Sequence, residues 1–205
     1  MVETRQSTVL RYLPNAISVA RLASTPVLVW LAWTSRETAF TWLLIAALAS
    51  DAVDGMLARS FGWASRIGSL FDSVADATLM LTTAYGVWIF HPYVFTEHGV
   101  IIWSLIGLWA LEHVLALVRY GRLSSFHTAL VRYGVLVFSS FLIILFLFGF
   151  VGWLFYLSAF LSLAAVLEQM AMIALLPKWT PDLRGGLPAA LKRRADRSGR
   201  GPGER

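Results

Sequence analysis

The sequence predicts an all-α, polytopic membrane protein with six transmembrane helices. Three observations carry that expectation. Apolar residues are gathered into six long runs, charged residues lie mostly between and after those runs, and several tryptophans fall near run ends. Hydrophobic residues make up 58% of the chain and charged residues 14%, with a mean hydropathy of +0.67. A soluble domain is nearer half apolar and about 25% charged. The length of 205 residues suits one domain, and the absence of cysteine excludes disulfides and thiolate-bound zinc from this chain.

Residues 1–12 are polar and carry Arg5 and Arg11, and are expected to form a cytoplasmic N-terminal segment. The first apolar run covers about Leu13 to Trp33. Pro14-Asn15 suits a helix start, Pro14 supplying a fixed φ and Asn15 a capping side chain. A cleaved signal peptide fits poorly, because Arg21 interrupts the apolar stretch and no small-x-small site follows. The second run follows the polar link 34–38 and ends near Arg59. The third covers about 68–90, the fourth 99–118, the fifth 130–148 and the sixth 151–176. Each is long enough to cross about 30 Å of hydrocarbon. Gly149 and Gly152 mark a tight turn, and Pro177 stops the sixth run. Residues 13–177 are thus expected to form one six-helix transmembrane domain, which the motif below makes the catalytic one. Residues 178–205 are a basic cytoplasmic tail, rich in Gly and Pro and expected to be poorly ordered, with a short helix near 189–194.

Charge sets the expected topology. An even number of spans puts Arg5, Arg11, Arg59, Arg66, Arg119, Arg122, Arg132 and the tail cations on one side, and Arg36 on the other. Both termini should therefore be cytoplasmic. Trp30, Trp33, Trp42, Trp88 and Trp103 fall near the outer ends, as an aromatic belt requires. The basic tail suits anionic lipid headgroups better than nucleic acid.

One stretch breaks the apolar pattern. Asp51 and Asp54 are three apart, and Asp72 and Asp76 four apart, so on a helix each pair shares a face. Carboxylates at the edge of hydrocarbon are costly and need a partner. A hard divalent ion, Mg²⁺ or Mn²⁺, takes oxygen ligands and leaves room for substrate phosphates. The bland alternative is a set of intramembrane salt bridges to Arg21, Arg59 and Arg66.

Asp51-x2-Asp54-Gly55-x2-Ala58-Arg59-x8-Gly68-x3-Asp72-x3-Asp76 resembles the signature of the CDP-alcohol phosphatidyltransferases (class I), with every motif position matched. The resemblance implies that family's six-helix fold in a bacterial-type cytoplasmic membrane, with the active site on the cytoplasmic side, homodimerisation, and no role for nucleic acid. It implies transfer of a phosphatidyl group from CDP-diacylglycerol to a small alcohol with release of CMP. Asp51, Asp54, Asp72 and Asp76 would ligate metal, with Asp76 a ligand or general base and Asp72 beside it in catalysis. Gly55 and Ala58 would leave space for the nucleotide, Arg59 would offer its fork to phosphate, and Gly68 would permit close helix approach. Pro14-Asn15-x2-Ser18-x2-Arg21 resembles the family's first-helix pattern, in which a hydroxyl and an arginine approach the polar site.

Glu112-x6-Arg119 resembles a pattern in bacterial phosphatidylglycerophosphate synthases. Arg119, Arg122 and Arg132, with His127, would suit a phosphorylated acceptor, so glycerol 3-phosphate is the first choice. The chain departs from those synthases in reading Ser124-Ser125-Phe126-His127-Thr128 where a lysine-containing stretch is usual. Inositol phosphate, serine, choline and phosphatidylglycerol stay open as acceptors. The three arginines would equally obey the positive-inside rule alone. Glu168 is expected to be a buried, hydrogen-bonded residue. A membrane prenyltransferase and a cation transporter are the rival classes; six spans are few for the first, and a site near one face is unlike the midplane site of the second.

Overall fold

The computed structural model describes the backbone of residues 2–61, 66–121, 128–176, 187, 188 and 191, and the side chains of 17–50, 74–121, 128–176, 187, 188 and 191. Six helices follow one another: α1 (Val2–Trp33), α2 (Glu37–Phe61), α3 (Arg66–Phe90), α4 (Pro92–Tyr120), α5 (Ala129–Phe148) and α6 (Gly152–Leu175). There is no strand among the described residues. The helices α4, α5 and α6 are each long and apolar enough to cross a membrane; α1, α2 and α3 contribute the apolar segments Ile17–Trp33, Glu37–Ser50 and Val74–Phe90. Each helix contains one predicted apolar run, and most helix ends fall within a few residues of the run ends. The chain divides into two compact units, Met1–Glu97 and His98–Arg205.

One boundary differs from expectation. The first helix begins at Val2, not at Pro14, so Pro14 and Asn15 lie inside it. A proline removes one backbone hydrogen bond and crowds the preceding turn, yet helices of membrane proteins tolerate it. The residues upstream, among them Glu3, Arg5, Gln6, Leu10 and Arg11, are good helix formers and carry the helix back past it.

In the first unit α1 packs along α2 and α3. Its inward stripe is Ser18, Arg21, Thr25, Leu28 and Ala32, all buried and spaced by three and four. Buried hydroxyls in this stripe are satisfied locally: Thr25 Oγ1 donates to the Leu22 carbonyl at 2.7 Å. The inward stripe of α3 is Ala75, Leu79, Thr82, Thr83 and Val87, and that of α2 is Phe40, Thr41, Leu44 and Ala47. Gly86 lets the fully buried ring of Phe40 lie against the α3 backbone; a Cβ there would stand 2.1 Å from Phe40 Cζ. Trp30, Trp33, Trp42 and Trp88 are exposed, as residues of an aromatic belt should be. Arg36 lies over the Trp30 ring, 5.3 Å from its centroid.

In the second unit α5 packs on α6. Gly134 approaches the Leu161 carbonyl closely enough that a Cβ would sit 3.6 Å from it. Thr128 caps α5, its Oγ1 accepting from the Val131 N–H. The turn after α5 uses Gly149 at φ 95°, with its N–H on the Leu145 carbonyl, a conformation glycine adopts without steric cost. Residue His98 has non-helical backbone (φ −123°, ψ 17°), so the regular part of α4 starts at Gly99, where the fourth apolar run begins. The rings of His98, Phe141, Phe150, Phe155 and Tyr156 form an aromatic cluster. Most of the tail lies outside the described residues, among them 189, 190 and 192–194 of the expected short helix; Leu191 is helical.

Two predictions follow from this packing. Gly86→Ala should destabilise the protein by about 1–3 kcal/mol through overpacking against Phe40, and Phe40→Leu should restore part of the loss, measured by thermal unfolding in detergent. His91, in the link between α3 and α4, has its pKa lowered by burial, partly opposed by the Glu37 carboxylate 3.4 Å from Nε2. The folded state therefore favours the neutral ring. That contribution is complete above about pH 6.5 and is lost as the pH falls through the lower folded-state value. His91→Gln should flatten the acid limb of the unfolding temperature against pH.

Candidate active site

Helix α2 carries Asp51, Asp54, Gly55, Ala58 and Arg59 in its second half, and α3 carries Gly68, Asp72 and Asp76 in its first half. Both helices are continuous through these positions, so the assumption behind the spacing holds: each aspartate pair lies on one helical face. Four residues, 62–65, separate the two helices in sequence, so the motif occupies the last part of α2 and the first part of α3. The side chains of Asp51, Asp54, Gly55, Ala58, Arg59, Gly68 and Asp72 lie outside the described residues.

Asp76 is described, and it is not alone. Its Oδ1 accepts from Arg21 Nη1 at 2.5 Å. The Arg21 side chain is fully buried, while that of Asp76 is 52% exposed. Burial of a guanidinium requires hydrogen-bonded compensation, and the carboxylate one helix away supplies it. Ser18, one turn before Arg21, is buried on the same stripe. The first-helix pattern thus brings a hydroxyl and an arginine inward, and the arginine reaches the motif. The salt-bridge alternative is realised at this pair; Asp76 nevertheless keeps half its surface open.

A divalent cation suits this donor set. The motif offers four carboxylates and no sulfur or imidazole, the hard oxygen ligands that Mg²⁺ and Mn²⁺ take. Among the residues whose side chains are described, no group of three metal-ligating side chains occurs; three of the four aspartates fall outside that set.

The acceptor candidates lie in the second unit. Glu112 is fully buried on α4; its Oε1 has no hydrogen-bond partner, and its Oε2 is 2.7 Å from Nδ1 of its neighbour His113. That contact is close but poorly aligned, and the same Nδ1 is 3.0 Å from the Trp109 carbonyl. Arg119 and Tyr120 cap the end of α6. Arg119 Nη2 approaches the Ala174 and Leu176 carbonyls at 3.5 and 3.4 Å, and Tyr120 Oη donates to those of Ile173 and Leu176 at 3.1 and 2.7 Å. These are among the last carbonyls of α6, which have no partner within their own helix. Arg132 is exposed in the first turn of α5. Arg122 and His127 lie outside the described residues.

Glu168 is hydrogen-bonded as expected, but it is only partly buried. Its Oε2 accepts from Thr128 Oγ1 at 2.7 Å while Oε1 accepts from the Leu187 N–H at 3.1 Å. Sequence reasoning missed Thr128 and Tyr120. The first carried a readable signal, a threonine directly ahead of an apolar run; the second carried none.

The family model for CDP-alcohol phosphatidyltransferase matches residues 11–175. Curated relatives include a CDP-diacylglycerol–inositol 3-phosphatidyltransferase of Saccharomyces cerevisiae, 31% identical over 59% of this chain and 52% of the relative. A cardiolipin synthase (CMP-forming) of Streptomyces coelicolor is 38% identical over 37% of this chain and 38% of its own length. A chloroplastic CDP-diacylglycerol–glycerol-3-phosphate 3-phosphatidyltransferase of Oryza sativa subsp. japonica is 40% identical over 55% of this chain and 32% of its own length. The chain therefore spans about half, or less, of the length of these relatives. No solved structure matches it. With its aspartate motif on two successive helices, its apolar helices and a family match over most of its length, this integral membrane protein belongs to the CDP-alcohol phosphatidyltransferase family.

Proposed function

We propose that this protein transfers a phosphatidyl group from CDP-diacylglycerol to a small phosphorylated alcohol, glycerol 3-phosphate first, and releases CMP. The observation that carries the reading is the complete aspartate motif on two successive helices, with the Asp76 carboxylate held by Arg21 and half exposed. Asp51, Asp54, Asp72 and Asp76 would hold Mg²⁺ or Mn²⁺. When bound, such an ion neutralises phosphoryl charge and stabilises the departing phosphate. In the reaction the acceptor oxygen bonds to the β-phosphorus, the bond from that phosphorus to the CMP oxygen breaks, and the hydroxyl proton leaves to a base. Asp76 serves as a ligand or as that base. Arg59 offers paired donors to phosphate. Gly55 and Ala58 keep the helix face open for the nucleotide.

Glycerol 3-phosphate is supported by the Glu112-x6-Arg119 pattern, by the arginines at 122 and 132, and by the acceptor in the rice relative's name. The yeast relative favours an inositol acceptor as the second reading. The distribution of arginines supports a cytoplasmic position for the site and both termini. A homodimer is the expected assembly.

Purified protein in detergent should release CMP from CDP-diacylglycerol when given Mg²⁺ or Mn²⁺ and an acceptor, and chelation should abolish the release. Glycerol 3-phosphate should give the highest kcat/KM in a panel with inositol, inositol phosphate, serine, choline and phosphatidylglycerol. Asp72→Asn and Asp76→Asn should each lower the rate by about 100-fold or more. Full activity of both folded variants would overturn the mechanism.

A further inference from the structure

We propose that Arg21 is a positioning residue for Asp76: a guanidinium on α1 that fixes the orientation of the last motif carboxylate from behind. The inference rests on the reading of the aspartates as cation ligands and assigns α1 a part in that site.

The burial pattern is the first argument. A long basic side chain near a membrane surface ordinarily turns its charged head toward water. Here the arginine is fully buried and the shorter carboxylate is the half-exposed partner. The charge is held inside so that it meets Asp76, and Asp76 faces outward with one oxygen already engaged.

Rigidity is the second. Arg21 sits in the packed stripe of α1, between buried Ser18 and Thr25, and Asp76 adjoins Ala75, which is fully buried on α3. The two backbones are fixed by helix packing, so the contact fixes the side chains as well. A guanidinium is planar with donors in a fixed fork, and its hydrogen bonds to carboxylate are charge-assisted. An ammonium on a flexible stem does not reproduce that geometry.

Energetics is the third. A buried ion pair is weak evidence for stability, since apolar residues of similar volume often do as well or better. The pair is better explained by what it does to Asp76. Groups that hydrogen-bond a ligating carboxylate orient it, and their removal typically costs about 10- to 100-fold in metal affinity or activity.

The test separates positioning from plain charge. Removing a positive charge beside a cation site should by itself tighten cation binding; loss of positioning should weaken it. Mn²⁺ affinity is measured by electron paramagnetic resonance titration of the full chain in detergent, alongside CMP release. Arg21→Gln should weaken Mn²⁺ binding by about 10- to 100-fold. Arg21→Lys keeps the charge without the fork and should fall between wild type and Arg21→Gln. In an Asp76→Asn background, Arg21→Gln should cost nothing further.

Unchanged or tighter Mn²⁺ binding in folded Arg21→Gln would overturn the proposal, as would an equal loss with and without Asp76. If Arg21→Gln does not fold, Arg21→Lys decides: wild-type affinity and turnover overturn the proposal, and loss of both supports it. Wild-type protein that bound no Mn²⁺ would overturn the cation reading itself and this inference with it, an outcome distinct from wild-type binding beside an indifferent Arg21→Gln.

Discussion

A carboxylate at the edge of a hydrocarbon-spanning bundle must have its charge compensated, and the first unit is arranged around that constraint. Isolated in an apolar medium, an ionised side chain carries a penalty large enough to change its protonation or its position. The chain answers it at Asp76 with a buried arginine from a neighbouring helix. The cost of burying Arg21 is in turn partly offset by its ion pair with Asp76. Helix packing makes this possible, because a stripe of residues spaced by three and four on α1 lies along α3. The three remaining motif aspartates stand at helical spacing close by in sequence, and a divalent ion is the chemical partner that accommodates several carboxylates at once.

The second unit solves a different problem, the unsatisfied backbone groups at helix ends. The last carbonyls of α6 receive Tyr120 and Arg119 from α4. The start of α5 is capped by Thr128, whose hydroxyl also reaches Glu168 on α6. Glu168 then takes the backbone N–H of Leu187 beyond α6. Side chains at these helix ends thereby tie α4 to α6, α5 to α6, and the segment after α6 back to it. Arg119 illustrates how one residue satisfies two arguments: it obeys the charge asymmetry of membrane proteins and also serves as a donor to a helix end.

Much of the fold was legible because each element rests on a signal of its own. Six apolar runs became six helices, and Gly149 ended α5 where the turn was expected. Pro14 misled because proline starts helices in general, whereas here good helix formers precede it. The aspartate motif was legible as spacing, and the backbone of α2 and α3 honours that spacing. The partner of Asp76 was legible only as one of two alternatives, since no sequence rule says which arginine faces inward. Glu112 and Arg119 are seven apart and share a face of α4, yet one is fully buried and the other caps α6 at the helix end. Burial depends on what the facing helices supply, which spacing on one helix does not encode.

The central claim is that the motif carboxylates on α2 and α3, with Asp76 held by Arg21, together grip a divalent cation. Anomalous diffraction from crystals grown with Mn²⁺ and CDP tests it most directly. The account predicts a manganese peak coordinated by carboxylate oxygens of Asp51, Asp54, Asp72 and Asp76, with Arg21 still bonded to Asp76. A manganese peak elsewhere with CDP bound, or Asp76 turned away from the metal toward Arg21 alone, would contradict it.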